Sequence, residues 1–370
     1  MIITILLFIF LFMGIDLLLG VFLIPQNFNE FRIRNSWYHH GLKKNVDTHA
    51  VWGPLIYSFV TNNLSFRDAE KRNIPLNSNN KRILILGDSH SEGVGIEYNF
   101  TFPGRLQKMA AQKSIEILNA SAVSYSPKIH YLKADYLLNK LGLTVDEIWV
   151  VVDISDLQNE IAYRSFKSTD QKWIKLTGNI IKRFLLENSF TSFSFNAIKE
   201  KKKTDILKKV LLGFKQDKGN LPQKNSIELY KEFFRSFENE DLLRNPDFHG
   251  VSEWIYNSRL RELADEGLEL GFENILKLKQ LCNQKGIKLR LSVHPWQTQV
   301  LKGDTTDYYV ERWRNFCHSE NIGFINLYPV FINEENPLWV AKTCYIEGDN
   351  HFNETGHERV ADYLKKYLDE

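Results

Sequence analysis

The 370 residues carry 43% hydrophobic and 25% charged side chains with 20 Gly and 10 Pro, which excludes a disordered, collagen-like or linker chain and allows a sizeable core in one large or two smaller domains. With 47 Lys and Arg against 45 Asp and Glu the formal net charge is +2, too near neutral for bulk attraction to nucleic acid. The cysteines Cys282, Cys317 and Cys344 have no CxxC or Cys/His ligand spacing, so neither a disulfide framework nor a zinc site is indicated.

The chain opens on an apolar run, Met1 to Pro25, interrupted only by Asp16. That is about the length a helix needs to cross ~30 Å of hydrocarbon. No Lys or Arg precedes the run, and Leu23-Ile24-Pro25-Gln26 lacks a small-residue cleavage site, so residues 1–25 are expected to be an uncleaved transmembrane anchor. Arg32, Arg34, Lys43 and Lys44 follow it, and the positive-inside rule alone leaves the large domain in the cytoplasm. Residues 26–80 are mixed polar and aromatic and end in a turn-rich stretch, Lys71 to Asn80; they are expected to form a stalk that packs onto the domain.

Residues 81–370 read as one domain. Ile83-Leu84-Ile85-Leu86, stopped by Gly87-Asp88, has the continuous apolar character of a buried parallel strand. Further bursts lie at 115–119, 147–152, 288–293 and, more weakly, 323–326. Helix-period segments separate them, at 102–112, 128–140, 267–284, 307–320 and 354–368. Strand alternating with helix predicts an α/β fold, a three-layer parallel sheet flanked by helices. Between the third and fourth strands, about 157–253 is expected to be a helical insertion, rich in Lys at 201–203 and 208–209. It reads either as a solvated cap or as a lid that shapes the substrate cleft or meets an anionic surface.

The chemistry begins where the first strand ends. Gly87-Asp88-Ser89 places Ser89 at the carboxyl end of a buried strand, where functional groups of a parallel sheet reach the crevice. A nucleophilic serine needs a base. Near the C-terminus His351 stands beside Asp349 and Glu347, in a polar loop opening the last helix. His351 is the expected base, with Asp349 or Glu347 orienting it in a triad. The isolated histidines His90, His130, His318 and His357 are read as structural. Trp296, after the fourth strand, faces the same crevice and is a candidate substrate wall that would stack on a sugar; its other reading is core packing.

These pieces, in this order, resemble the SGNH/GDSL hydrolase superfamily. The first block is Ile85-Leu86-Gly87-Asp88-Ser89, with His90 where the GDSL name has Leu. The second is Asn119 to Ser126, with Ser124 at the usual Gly whose N–H serves the oxyanion. The third is Asp153-Ile154-Ser155-Asp156, with Ser155 at the usual Asn donor and Asn159 a turn away; the last is Asp349-Asn350-His351 in place of Asp-x-x-His. The resemblance covers about residues 81–160 and 285–370. It implies an SGNH/flavodoxin-like hydrolase with catalytic Ser89, Asp349 and His351, an oxyanion site formed by Ser89, Ser124 and Ser155, and no metal or organic cofactor. The layout is similar to membrane-anchored bacterial members that act outside the cytoplasmic membrane on ester-linked acyl groups, O-acetyl above all, of surface glycans. The same triad serves an O-acyltransferase or a lipid esterase, and the departures from the pattern leave open a non-catalytic, membrane-tethered glycan-binding or assembly protein.

Overall fold

The computed structural model describes residues 2–23, 30–53, 55–168, 252–256, 261–332 and 336–369, with Ser189 and Thr191. The chain divides into two compact units, one of Met1–Asn27 with Thr169–Leu229, the other of Phe28–Ser168 with Tyr230–Glu370.

In the first unit the apolar run forms one helix, α1 (Ile2–Leu23). Leu7, Phe8, Phe10, Leu11 and Phe12 on it are exposed, and the Asp16 carboxylate accepts hydrogen bonds from the Thr191 N–H and hydroxyl. Among the described residues no helix is long and apolar enough to cross a membrane; the side chains at 2, 3, 5, 6, 9 and 20–23 of α1 are outside that set. The helix predicted from the sequence is present, and the spanning role rests on the sequence run alone. Of the expected insertion at 157–253, most lies outside the described residues.

The second unit is built on an eight-stranded sheet in the order β10-β9-β8-β6-β7-β5-β4-β3. The strands are β3 (Asp47–Trp52), β4 (Leu55–Thr61), β5 (Arg67–Asp68), β6 (Lys81–Gly87), β7 (Ile115–Asn119), β8 (Glu147–Val152), β9 (Lys288–Val293) and β10 (Gly323–Asn326). From β10 to β7 all pairing is parallel; β5, β4 and β3 add antiparallel strands beyond β7. A separate hairpin, β1 (Arg32–Asn35) with β2 (His39–Leu42), precedes them. The expected stalk is thus an integral part of the sheet.

The alternation of a strand explains the apolar bursts. Ile83 and Ile85 of β6 join one core with Ile117, Trp149 and Val151, while Leu84 and Leu86 join the other with Leu118, Ile148 and Val150. Both faces are covered, so both sets of side chains are apolar. The first core is closed by α3 (Phe102–Ala111) and α11 (Glu354–Leu364), and the second by α4 (Pro127–Asp135), α5 (Asp156–Tyr163), α6 (Arg261–Lys285) and α8 (Tyr308–Ser319). Shorter helices α2 (Ser89–Glu92), α7 (Gln297–Lys302), α9 (Tyr328–Ile332) and α10 (Pro337–Thr343) complete the unit. Cys282, Cys317 and Cys344 are buried, and none of the three forms a disulfide among the described residues.

Connectivity decides where a site opens. The chain passes from β6 to β7 on one side, then crosses to β8 on the other side of β6. At such a switch point the loops leave in opposite directions, and a crevice opens beyond the carboxyl ends of β6 and β8. Ser89 follows β6 and Asp153 follows β8.

Candidate active site

Ser89 is the first residue of α2, entered through a tight turn. A Cβ at Gly87 would overlap the Ser91 hydroxyl, so only glycine lets the turn fold back on the strand. Asp88 caps α2 by accepting from His90 N–H at 3.0 Å. Gly93, at φ +79°, ends α2 after one turn. The Ser89 N–H, first in the helix, has no carbonyl within it to bond.

The triad assembles across 262 residues of sequence. His351 Nε2 lies 2.8 Å from Ser89 Oγ, and His351 Nδ1 lies 2.5 Å from Asp349 Oδ1. This pairing assigns the tautomer: Nδ1–H donates to Asp349, and the Nε2 lone pair faces the serine. Asp349 Oδ1 also accepts from the His351 N–H at 3.0 Å, which fixes the loop. Asp349 is therefore the acid placed to orient His351, while Glu347 is exposed. Burial pushes the Asp349 carboxyl up, but hydrogen bonds from His351 and Trp52 outweigh it and hold the carboxyl well below the usual range. Ser89 Oγ also lies 3.0 Å from Asp88 Oδ2, so its one proton has two acceptors in reach.

One contributor was not legible in the sequence. Trp52, at the end of β3, donates its indole N–H to Asp349 Oδ2 at 2.8 Å and sets its ring edge-on to His351 at 4.9 Å. The antiparallel strands thus reach into the triad. They also hold the nucleophile loop, because buried Arg67 of β5 donates to the carbonyls of Glu92, Gly93 and Ile96.

Ser124, the second expected oxyanion donor, sits on a turn held by Glu92 and His40. Ser124 has φ +61°, the left-handed region that favours glycine; a side chain there costs about 1–2 kcal/mol. Its neighbour Val123 donates N–H to Glu92 Oε2 at 2.9 Å, and the Val123 carbonyl meets His40 Nε2 at 2.8 Å. Glu92 is itself gripped by Arg32 of β1 through two hydrogen bonds, at 2.7 and 2.5 Å. Ser124 N–H has no acceptor among the described residues, leaving it available to a ligand.

Two expectations are corrected. Ser155, expected as an oxyanion donor, gives both its N–H and its hydroxyl to Asp153 Oδ1, at 2.8 and 2.5 Å; a hydroxyl has one proton, and this one is committed. Of the two readings of Trp296, substrate wall or core packing, the structure bears out the second: it is only 6% exposed, belongs to the core and donates its indole N–H to Asp153 Oδ2 at 2.7 Å. Core packing won because the indole finds both an apolar surround and an acceptor for its N–H, the buried Asp153 carboxylate, inside the fold. His90, read as structural, in fact lies at the site, its ring stacked on that of His351 at 4.5 Å.

Behind the triad lies a second, fully buried cluster: Asp88, His90, Asp153 and His294. Burial disfavours a charged His90, yet Asp88 and Asp153 on either side raise it to about 9. Burial and the Asp88 charge push Asp153 up, while His294 is held well below its ordinary value by burial and by His90.

No protein-family model matches the chain, and no curated protein matches it. Among solved structures, a G-D-S-L family lipolytic protein from Desulfitobacterium hafniense aligns at 12% identity over 78% of this chain and 99% of its own, with a TM-score of 0.39. A psychrotrophic esterase from Pseudoalteromonas aligns at 12% identity over 79% and 100%, TM-score 0.38. An acetylxylan esterase from Geobacillus stearothermophilus aligns at 9% identity over 80% and 96%, TM-score 0.39. At these scores the likeness is loose.

Proposed function

We propose that this protein is a serine esterase of the SGNH/GDSL type, which cleaves ester-linked acyl groups through an acyl-enzyme on Ser89. The observation that carries the reading is the continuous chain Ser89 Oγ, His351 Nε2, His351 Nδ1, Asp349 Oδ1, with links of 2.8 and 2.5 Å. His351 Nε2 takes the hydroxyl proton as Oγ attacks the ester carbonyl, and Asp349 stabilises the imidazolium that forms. The main-chain N–H groups of Ser89 and Ser124 are the oxyanion donors, since Ser155 is occupied. His351 then returns the proton to the departing alkoxide. Water, activated by the same imidazole, releases the acid and restores Ser89. The test is labelling by a serine-directed fluorophosphonate together with turnover of p-nitrophenyl acetate. Wild type is expected to label and turn over, and folded Ser89→Ala to do neither; an unlabelled wild type, or equal labelling of both, overturns the reading.

Within this reading, the substrate we propose is an O-acylated, above all O-acetylated, surface glycan, with α1 as a membrane anchor and the catalytic unit outside the cytoplasmic membrane. The apolar run from Met1 to Pro25, the exposed apolar side chains of α1 and the layout of anchor followed by domain support it. Resistance of the full chain to carbonate extraction, and protease access to the domain in spheroplasts, are the expected results. The acyl-enzyme has a second fate, transfer to a sugar hydroxyl, for which an acylated acceptor sugar accumulating in place of free acid is the signature.

A further inference from the structure

The buried cluster beneath the triad has a shape of its own. Its four members leave the carboxyl ends of three adjacent parallel strands: Asp88 and His90 after β6, Asp153 after β8, and His294 after β9. All are at most 2% exposed. One oxygen or nitrogen from each lies within 4.8 Å of all the others. Asp153 Oδ2 is 3.3 Å from His294 Nε2 and 3.4 Å from His90 Nδ1, and His90 Nδ1 is 3.9 Å from Asp88 Oδ1. A tetrahedron of N and O ligands at zinc distances of about 2.0–2.2 Å has six edges of about 3.3–3.6 Å; two of these separations already fit, the third is a few tenths of an ångström long, and the other three pairs lie within 4.8 Å.

The polar accounting points the same way. Neither His90 Nδ1 nor either nitrogen of His294 makes a hydrogen bond of normal geometry among the described residues, although all three atoms are buried. Such orphans are uncommon in native interiors and call for a partner. His90 Nε2 meets the Asn350 carbonyl at 3.0 Å. That bond puts a proton on Nε2 and turns Nδ1 into the cluster, which is how a metal-bound histidine is held from behind. Asp153 and Asp88 are oriented in turn, by Trp296 and Ser155 and by the His90 N–H.

We propose that Asp88, His90, Asp153 and His294 form a buried site for one divalent transition-metal ion, zinc by its mixed N and O donors. The ion would touch no substrate. It would tie the Ser89 turn to the ends of β8 and β9, since Asp88 would bind it through Oδ1 while Oδ2 lies in reach of Ser89 Oγ. The inference does not lean on the esterase reading: a catalytically silent chain would bind the ion equally, and an active esterase without it would refute only this proposal.

The experiment uses the full chain in detergent, purified without chelator. Metal content by mass spectrometry is expected to be one zinc per chain, and the chelator-stripped protein is expected to take up one Co²⁺ with the intense visible bands of a four-coordinate ion. His294→Ala is expected to weaken Co²⁺ binding by at least ~100-fold, the upper end of what loss of a mere supporting partner costs, while Ser89→Ala binds like wild type. Should His294→Ala not fold, stripping wild type alone is expected to lower its melting temperature, with recovery on adding Zn²⁺. Wild type that stays metal-free after Zn²⁺ and Co²⁺ titration overturns the proposal; so does binding that His294→Ala leaves unchanged, which marks surface ions only. A metal-free protein whose His90 ring is doubly protonated by NMR would show that a proton fills the cluster instead.

Discussion

The two halves of the sheet do different work at the same site. The parallel half, β10 to β7, delivers Ser89 and, through the loop before α11, Asp349 and His351. The antiparallel extension and the β1–β2 hairpin deliver no reacting atom, yet Trp52, Arg67, Arg32 and His40 hold the triad acid, the nucleophile loop and the oxyanion turn. Placing the reacting groups and keeping them placed fall to different stretches of chain.

Breaking the parallel half should cost most. Asp349→Asn is expected to lower kcat by about 10⁴-fold, with Glu347→Gln near wild type, as read by ester turnover; the reverse order would make Glu347 the orienting acid. On the other side, Arg32→Met leaves Glu92 buried without its cation. Loss of one partner of a buried pair costs about 3–5 kcal/mol, and since Arg32 is about a quarter exposed the expected loss in urea unfolding is near ~3 kcal/mol, with reduced kcat because Val123 hangs on the same carboxylate.

Lys133 of α4 tests the junction by pH. It is buried against the rings of Tyr38, Phe66 and Tyr125, and burial lowers it to about 7. The folded value lies below the unfolded one, so the unfolded chain binds more protons between pH 7 and 10 and stability rises with pH across that window. In Lys133→Met this rise should be missing: the wild-type stability relative to the variant is expected to grow by about 3–4 kcal/mol from pH 7 to 10, and a flat difference would show Lys133 charged in the fold.

Smaller effects sharpen the contrast. Trp52→Phe keeps the ring against His351 and removes one hydrogen bond to Asp349, so kcat is expected to fall about fivefold, with KM and melting temperature nearly unchanged. A drop in melting temperature without a drop in kcat would make Trp52 a packing residue only. Ser124→Gly relieves the left-handed backbone, and a gain of about 0.5–1 kcal/mol with activity retained is expected. Loss of activity would mean that the Ser124 side chain, not its N–H, matters.

The sequence by itself determined the parallel strands, the helices that cover them, and the candidate nucleophile and base. Strands β6 to β10 fall on the predicted bursts because a strand covered on both faces must be apolar throughout, which is a local signal. Ser89 and His351 were legible because each sits in a short motif whose chemistry demands the other. Residues 26–80 gave no such signal: strands with mixed burial, such as Asp47–Trp52, carry neither a continuous run nor clean alternation. What only the tertiary structure decided were relations across long separations. Trp52 meets Asp349 over 297 residues and His90 meets the Asn350 carbonyl over 260, Asp349 is chosen over Glu347, Ser155 is spent on Asp153, and Trp296 turns inward. Spacing along the chain cannot report these, because a hydrogen bond depends on where the sheet brings two side chains, and the strand order that does so is set by the packing of the whole core.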